Sequence, residues 1–300
     1  MKKTHILKAL LLFLFSFQLV AGTVNKSPAD QREYKTFFLK NGMEVITVSD
    51  PELATSAATL NIGVGFFQDP QEAQGIAHFL EHMIFMGSKK YKSPNEYMEF
   101  ITQNGGSTNA FTAAEQTTYL FSINNKKFAP ALDRLSAAIM EPLFDGTMVE
   151  KEINAVNSEW LKNRQTDAFI QQRTLALTGN PSHPRVKLGV GNKDTLGSNE
   201  EQLLGSLRDF HEKFYSANLM KLVLVGNQSS KELAKLARKY FSNIKNSKVE
   251  RPVNNISAYR EKDLSKEIFI RSKVKSPIFL VEFPIKDNRN LWKSKPNQYI

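Results

Sequence analysis

Residues 35–67 show the alternation of apolar and polar residues that is typical of strands. Two β-like runs lie within Lys35–Ser49 and are separated by Asn41-Gly42, a dipeptide typical of tight hairpin turns. A third run, Ala57–Phe67, predicts another strand, and its glycines indicate a bulge or a close backbone approach. The pattern therefore predicts a hairpin followed by a third strand.

After residue 75 the apolar residues recur at helical spacing. Gly75–Met86 predicts a helix that stops at Gly87, a residue favoured at helix ends. Ser93-Pro94-Asn95-Glu96 has the composition of a capping box with proline at the first helical position. It predicts a second helix that runs to about Gln103 and ends at Asn104-Gly105-Gly106.

The remaining periodic segments are helices and strands in mixed order. Strands are predicted over Thr117–Ile123 and Leu222–Gly226, and helices over Lys127–Met140, Thr147–Arg164, Glu200–Tyr215 and Ser230–Phe241. This order predicts an α+β fold, with a mixed β-sheet packed against helices, rather than a doubly wound parallel sheet.

The last part of the chain predicts a change of domain. A polar connector (NSKVERPVNNIS) follows the last helix, and new strands are predicted at Glu267–Arg271 and Ile278–Ile285. We therefore expect a linker at residues 23–32, one domain at 33–245, a second linker at 246–265 and the start of a second domain at 266–300.

The first 22 residues have the composition of a secretory signal peptide. Lys2 and Lys3 precede an apolar run, Ala9–Val20, and Ala21-Gly22 offers small residues for cleavage. The run is shorter than the ~20 residues that span a bilayer, which disfavours an uncleaved anchor, although a buried first helix stays open as an alternative. We expect a periplasmic or secreted protein without a stable membrane anchor.

The formal charge of +10 is concentrated at the two ends of the chain. Residues 1–22 carry a net +3 and residues 227–275 a net +8, whereas residues 23–226 carry a net −3. The late basic stretch lacks the interleaved aromatic residues that stack on bases, so it is interpreted as a solvated helix face and a linker. We expect no nucleic-acid partner.

The absence of cysteine restricts the chemistry that the chain can carry. It excludes disulfides, thiolate metal sites and a cysteine nucleophile, so any metal must be held by histidine and carboxylate. His78-Phe79-Leu80-Glu81-His82 supplies such a set, because residues four apart share one helix face and both imidazoles can bind one ion. Glu81 lies beside them and can accept a proton from water at the same ion.

Two further carboxylates lie on the long predicted helix. Glu152 and Glu159 are seven residues apart, nearly two turns, and therefore point the same way. One can complete the metal site while the other supports it. Taken without the histidine pair, both would be interpreted as an exposed helix face shared with Lys151 and Lys162.

The sequence resembles the pitrilysin/insulysin (insulinase) family of zinc metallopeptidases, which carry the inverted motif H-x-x-E-H. The interval of 76 residues between His82 and Glu159 agrees with that family. Family-like segments follow one another over about residues 30–300: GIAHFLEHMIFMGSKKY, NGGSTNAFTAAEQTTYLF, EKEINAVNSE, NPSHPRVKLGVGN and YSANLMKLVLVGN. The resemblance is strongest to the bacterial periplasmic branch.

The resemblance implies an α/β roll and a role for each candidate residue. It implies that His78, His82 and Glu159 bind Zn²⁺, that Glu81 is the general base and that Glu152 supports catalysis. Residues 107–111 would form an edge strand on which a substrate peptide adds as an extra strand, with Asn109, Ala110 and Phe111 contacting it. By propensity alone, Asn109 is equally well interpreted as a turn residue.

The resemblance also implies a larger assembly than this chain. Family members of this branch have four homologous domains, and their later half completes the site. We therefore expect peptide or small-protein substrates and a missing C-terminal half in cis or in trans. The main hypothesis is a secreted zinc metalloendopeptidase or its catalytic N-terminal part. The alternative is a catalytically incomplete domain that acts as a peptide- or partner-binding module.

Overall fold

A computed structural model describes residues 24, 26–197, 199–274 and 278–285. The predicted signal peptide at residues 1–22 and all of residues 286–300 therefore lie outside the described residues. Within the described residues, no helix is both long enough and apolar enough to cross a bilayer.

In the described part of the chain, six strands form one mixed sheet in the order β1-β2-β6-β3-β5-β4. Their bounds are β1 Glu33–Phe38, β2 Glu44–Ser49, β3 Thr55–Ile62, β4 Ser107–Thr112, β5 Thr117–Asn124 and β6 Met220–Gly226. Only β2 and β6 pair in parallel, and the other neighbours are antiparallel. The mixed sheet confirms the predicted α+β class. Strand β4 lies at one edge of the sheet, with β5 as its only partner among the described strands.

The predicted hairpin is confirmed, and the predicted third strand is shorter than expected. Phe38 pairs with Glu44 across the turn, and Gly42 takes the left-handed φ of 84° that Asn-Gly turns use. Strand β3 ends at Ile62, and a short 3₁₀ turn occupies Phe66–Gln68. The strand stops because the chain there bonds to the loop after β4, with Phe66 N–H donating to Ala113 O at 3.0 Å.

Eight helices accompany the sheet in the described part of the chain. They are α1 Ile76–Ile84, α2 Glu96–Gln103, α3 Phe128–Met140, α4 Gly146–Asn163, α5 Asp167–Thr178, α6 Lys193–Leu196, α7 Glu200–Phe214 and α8 Ser230–Phe241. Alternate residues of β3 are buried while those between are partly exposed, so the apolar face of the sheet carries the core. Helices α5 and α6 have no counterpart among the predicted elements.

The predicted start of α2 is wrong. The helix begins at Glu96, and Asn95 precedes it in the left-handed region with φ 63° and without a capping side-chain bond. Asn95 N–H donates to Phe85 O at 3.0 Å, which ties this position to the end of α1. Ser93 and Pro94 therefore stay outside the helix, because a tertiary bond fixes the backbone after them.

The two late strand predictions are also wrong for the described residues. The segment 267–271 and the described residues 278–285 contain no strand, and they expose large apolar side chains such as Phe269 and Phe279. A strand is stable only when its backbone groups pair with a neighbour, and no described strand lies beside these segments.

Candidate metal centre

Helix α1 presents two imidazoles side by side. His78 and His82 lie one turn apart, with ring centroids separated by 4.8 Å and nearly perpendicular planes. The opposite face of α1 is anchored in the core by fully buried residues, among them Phe79, Leu80 and Met83. This burial fixes the rotation of the helix and therefore the direction of both imidazoles.

Both rings are oriented through Nδ1. His78 Nδ1 donates to Val190 O at 2.8 Å, and His82 Nδ1 donates to Glu152 Oε2 at 3.1 Å. A ring that carries its proton on Nδ1 has the lone pair of Nε2 available for a metal ion. The two hydrogen bonds thus prepare both Nε2 atoms as ligands.

Glu159 on α4 faces these Nε2 atoms. Its carboxylate lies 3.4 Å from His78 Nε2 and 3.7 Å from His82 Nε2. One ligand atom from each of the three residues falls within 4.8 Å of the others. The donor set and spacing fit Zn²⁺, which binds imidazole nitrogen and carboxylate oxygen at about 2.0–2.2 Å. The Glu159 side chain is 47% exposed, so the site is open on one side for a fourth ligand.

Glu81 is a buried acid beside this group. Its Oε2 accepts a hydrogen bond of 2.6 Å from the Thr112 hydroxyl. Burial raises the pKa of Glu81, although the bond from Thr112 and the charge of His82 act in the opposite direction. A buried carboxylate with a raised pKa is suited to accept and return a proton.

The pKa values of His78 and His82 are shifted in opposite directions. Burial and the charge of His82 lower the pKa of His78, which favours its neutral, metal-binding form. Burial also lowers the pKa of His82, but the hydrogen bond to Glu152 and the charges of Glu159 and Glu81 raise it overall. Glu152 therefore acts on the site through His82.

The two acids of α4 differ in burial. Glu152 is 6% exposed and bonds to His82, whereas Glu159 is half exposed at the opening. The interpretation of both as a solvated helix face is therefore wrong for Glu152. Their spacing of seven residues places both next to the histidines of α1, against which α4 packs.

The predicted edge strand is formed and borders the same cavity. Residues 107–112 form β4, so the interpretation of Asn109 as a turn residue is wrong. Asn109 and Phe111 are exposed, and Ala110 is partly buried against the core. These residues line a cavity of about 720 Å³ together with His78, Glu81, His82, Glu152 and Glu159.

Several residues of this cavity were not predicted from the sequence. Thr112 and Val190 bond directly to Glu81 and His78, and Arg173, Arg185 and Lys187 supply positive charge to the lining. Val190 acts through its backbone carbonyl, which no side-chain pattern reveals. Thr112 could have been predicted from the sequence, because strand alternation puts it on the same face as Ala110.

Comparison with known proteins supports the resemblance. Residues 44–182 match the profile of Insulinase (Peptidase family M16), and residues 203–300 match that of the Peptidase M16 inactive domain. The chain is 38% identical to insulin-degrading enzyme of Homo sapiens over 94% of its length, covering 28% of that protein. It is 39% identical to Protease 3 of Shigella flexneri over 98% of its length, covering 32% of that protein.

A solved structure extends this similarity to the fold. The crystal structure of pitrilysin superposes with a TM-score of 0.78 and 40% identity, over 80% of this chain and 26% of that one. The chain thus spans about a third of the length of the curated relatives it matches.

Proposed function

Because the chain belongs to the insulinase family of M16 peptidases, we propose that it carries the hydrolytic site of a zinc metalloendopeptidase. The observation that supports this most strongly is the convergence of His78, His82 and Glu159 within 4.8 Å, with Glu81 buried beside them. A protein that only captured peptides would need a binding surface but no buried proton acceptor next to a metal site.

We propose that His78 and His82 bind Zn²⁺ through Nε2 and that Glu159 completes the protein ligands. When bound, Zn²⁺ supplies Lewis-acid chemistry, which polarises a carbonyl and lowers the pKa of water. The Nδ1 bonds to Val190 and Glu152 hold the two rings in the required orientation.

Glu81 is the proposed general base. As the oxygen of water forms a bond to the scissile carbonyl carbon, Glu81 takes the proton that this oxygen loses. The same carboxyl group then gives a proton to the amide nitrogen, the C–N bond breaks, and an amine leaves. The raised pKa of Glu81 supports this shuttle because it makes the protonated form accessible.

The free edge of β4 is the proposed site for the peptide. An added strand gains backbone hydrogen bonds at any sequence, and the Asn109, Ala110 and Phe111 side chains border the cavity where it would lie. The scissile bond would then approach Glu81 from the strand next to it. Substrates of this kind are extended peptides or flexible segments of small proteins.

The proposal is tested by peptide cleavage with three proteins: the unmodified chain, Glu81→Gln and Glu150→Gln. Glu150 is an exposed acid on the same helix as Glu159 and serves as the matched control. We expect the unmodified chain and Glu150→Gln to cleave and a zinc chelator to abolish cleavage. Glu81→Gln should bind zinc normally yet lose turnover by a factor of about 10² or more. Cleavage that survives the chelator would exclude the zinc mechanism.

A second candidate function is peptide or partner binding without turnover. The observation that favours it is length, since the chain covers only 28% and 32% of its two relatives. Bound zinc and peptide binding without any cleavage would support this function. Cleavage that appears only after the C-terminal half of a relative is added would instead support a split or shared site.

We further propose a periplasmic or secreted location and the domain limits given above. The signal-like residues 1–22 support the location. One sheet contains β1 through β6, which supports a domain at 33–245 followed by a linker at 246–265. The exposed apolar side chains within residues 268–274 and 278–285 support a second domain that begins at 266 and packs against further chain, in cis or in trans.

A further inference from the structure

Thr112 connects the strand at the sheet edge with the acid beside the metal group. It is the last residue of β4, and its hydroxyl donates to Glu81 Oε2 over 2.6 Å. This distance is typical of a short hydrogen bond from a hydroxyl to a charged acceptor. The contact joins two elements, β4 and α1, that are far apart in sequence.

The Glu81 carboxyl group depends on this bond for its orientation. Glu81 is 7% exposed, so little water reaches it. Among the described residues, Thr112 is the one side chain that forms a hydrogen bond with it. A buried carboxyl group with one oxygen fixed by a hydrogen bond has its orientation restricted, and Glu81 lines the cavity in that orientation.

The backbone of Thr112 faces the free edge of the sheet. Ala113 N–H donates to Gln116 O at 2.8 Å, so the pair 113–116 is hydrogen-bonded within the hairpin. Bonded and non-bonded pairs alternate in an antiparallel ladder, and Thr112 pairs with Thr117 in the next position. The N–H and C=O of Thr112 therefore point away from β5, as do those of Ala110 and Thr108.

We propose that Thr112 is a positioning residue that couples docking of a peptide strand to the orientation of the general base. This inference rests on the proposed function. Its backbone groups bond to the added strand at the edge, and its hydroxyl holds the Glu81 carboxyl group in the direction of the scissile bond. A peptide that pairs in register with β4 therefore has its scissile bond beside a Glu81 carboxyl group that is already oriented.

The chain offers a matched set of variants for the test. Thr112→Val keeps the shape of the side chain and removes the hydroxyl, and Thr112→Ser keeps the hydroxyl. Thr102→Val is the control, because Thr102 lies outside the cavity and its hydroxyl bonds to Met98 O and Glu99 O within α2. We expect Thr112→Val to lower kcat roughly tenfold or more with KM unchanged, because the backbone edge is intact. Thr112→Ser and Thr102→Val should retain the kcat of the unmodified chain.

A structural measurement accompanies the kinetics. Crystal structures of the zinc-loaded variants should show the Glu81 carboxyl group displaced in Thr112→Val and in place in Thr112→Ser and Thr102→Val. Equal melting temperatures for Thr112→Val and Thr112→Ser confirm that the comparison is between folded proteins.

Each result decides between the proposals. If the unmodified chain cleaves and Thr112→Val matches it in kcat with Glu81 unmoved, the positioning role is overturned and the proposed function stands. If the unmodified chain does not cleave, the proposal that this chain is catalytic is rejected. The positioning role of Thr112 is then decided by the crystal structures alone. Displacement of Glu81 in Thr112→Val alone then supports the positioning role, and an unmoved Glu81 overturns it.

Discussion

His82 Nδ1 lies 3.1 Å from Glu152 Oε2, and this contact joins α1 to α4, two helices with 61 residues of chain between them. Glu152 is buried, so its carboxyl group has few alternatives to the imidazole. The bond fixes which nitrogen of His82 carries the proton and leaves Nε2 for a metal ion. Glu152, which is outside the group of three residues that could hold the ion, thus orients His82, which belongs to it.

Glu152→Gln should weaken zinc binding without removing a metal ligand. The amide keeps a similar shape but loses the negative charge that raises the pKa of His82. We expect zinc affinity or peptide hydrolysis to fall by about 10- to 100-fold, as is typical for partners of metal-binding histidines. Zinc titration and kcat/KM measure the effect. Glu150→Gln is the control on the same helix, and equal losses in both variants would contradict a specific role for Glu152.

Zinc should stabilise the folded chain. A metal ion that binds only the native state adds about 2.7 kcal/mol when it is present at 100 times its Kd. We expect added zinc to raise the Tm of the unmodified chain and to raise that of Glu159→Gln much less. Glu159 is suitable for this test because its half-exposed side chain contributes little to the core. A zinc-induced shift of the same size in both proteins would place the metal elsewhere.

Gly75→Ala should disturb both the fold and the metal group. Gly75 has φ 96°, and a Cβ there would overlap the backbone of Gly191. The neighbouring Val190 carbonyl orients His78, so a shift of this loop reaches the site. We expect a loss of about 2 kcal/mol or more in the free energy of unfolding, together with weaker zinc binding.

Gly105→Ala separates the cost of backbone strain at positive φ from the cost of steric overlap by an added Cβ. Gly105 also has a positive φ, of 70°, but a Cβ there would meet no atom within 4 Å. We expect a loss of about 1 kcal/mol from backbone strain alone, with unchanged zinc binding. Chemical denaturation and zinc titration of both variants provide the comparison. Equal losses in both would show that the contact between Gly75 and Gly191 has no energetic role.

Asp69 should give the stability a specific pH dependence. Its carboxyl group accepts from the N–H groups of Gly75 and Ala77 at the start of α1, and burial raises its pKa from 3.8 to about 7. The folded state therefore holds this proton more tightly than the unfolded state. The corresponding stabilisation is complete below about pH 4 and is lost as the pH rises through 7, by up to ~1.4 kcal/mol per pH unit.

Asp69→Asn isolates this effect because it cannot titrate. As the pH rises from about 4 to 7, the free energy of unfolding of the unmodified chain should fall relative to that of Asp69→Asn. Denaturation at several pH values within this window measures it. A difference that stays constant across the window would show that Asp69 titrates alike in the folded and unfolded states.

The local pattern of the sequence determined much of this protein. Helical spacing placed His78, Glu81 and His82 on one short helix, and the seven-residue interval placed Glu152 and Glu159 on one face of another. The Asn41-Gly42 turn, the strands before and after it and the α+β class also followed from periodicity and turn chemistry. These features depend on residues close together in the chain, so the sequence carries them directly.

Only the tertiary structure decided how these pieces meet. Packing of α4 against α1 brings Glu159 to the imidazoles and buries Glu152 under His82, while pairing with β5 makes a strand of residues that include Asn109. The start of α2 depended on a bond from Asn95 to Phe85, and the late strand candidates lacked a partner among the described strands. Contacts such as Thr112 with Glu81 and His78 with Val190 join residues 31 and 112 positions apart. Such contacts form when apolar faces are buried together, which no local pattern specifies.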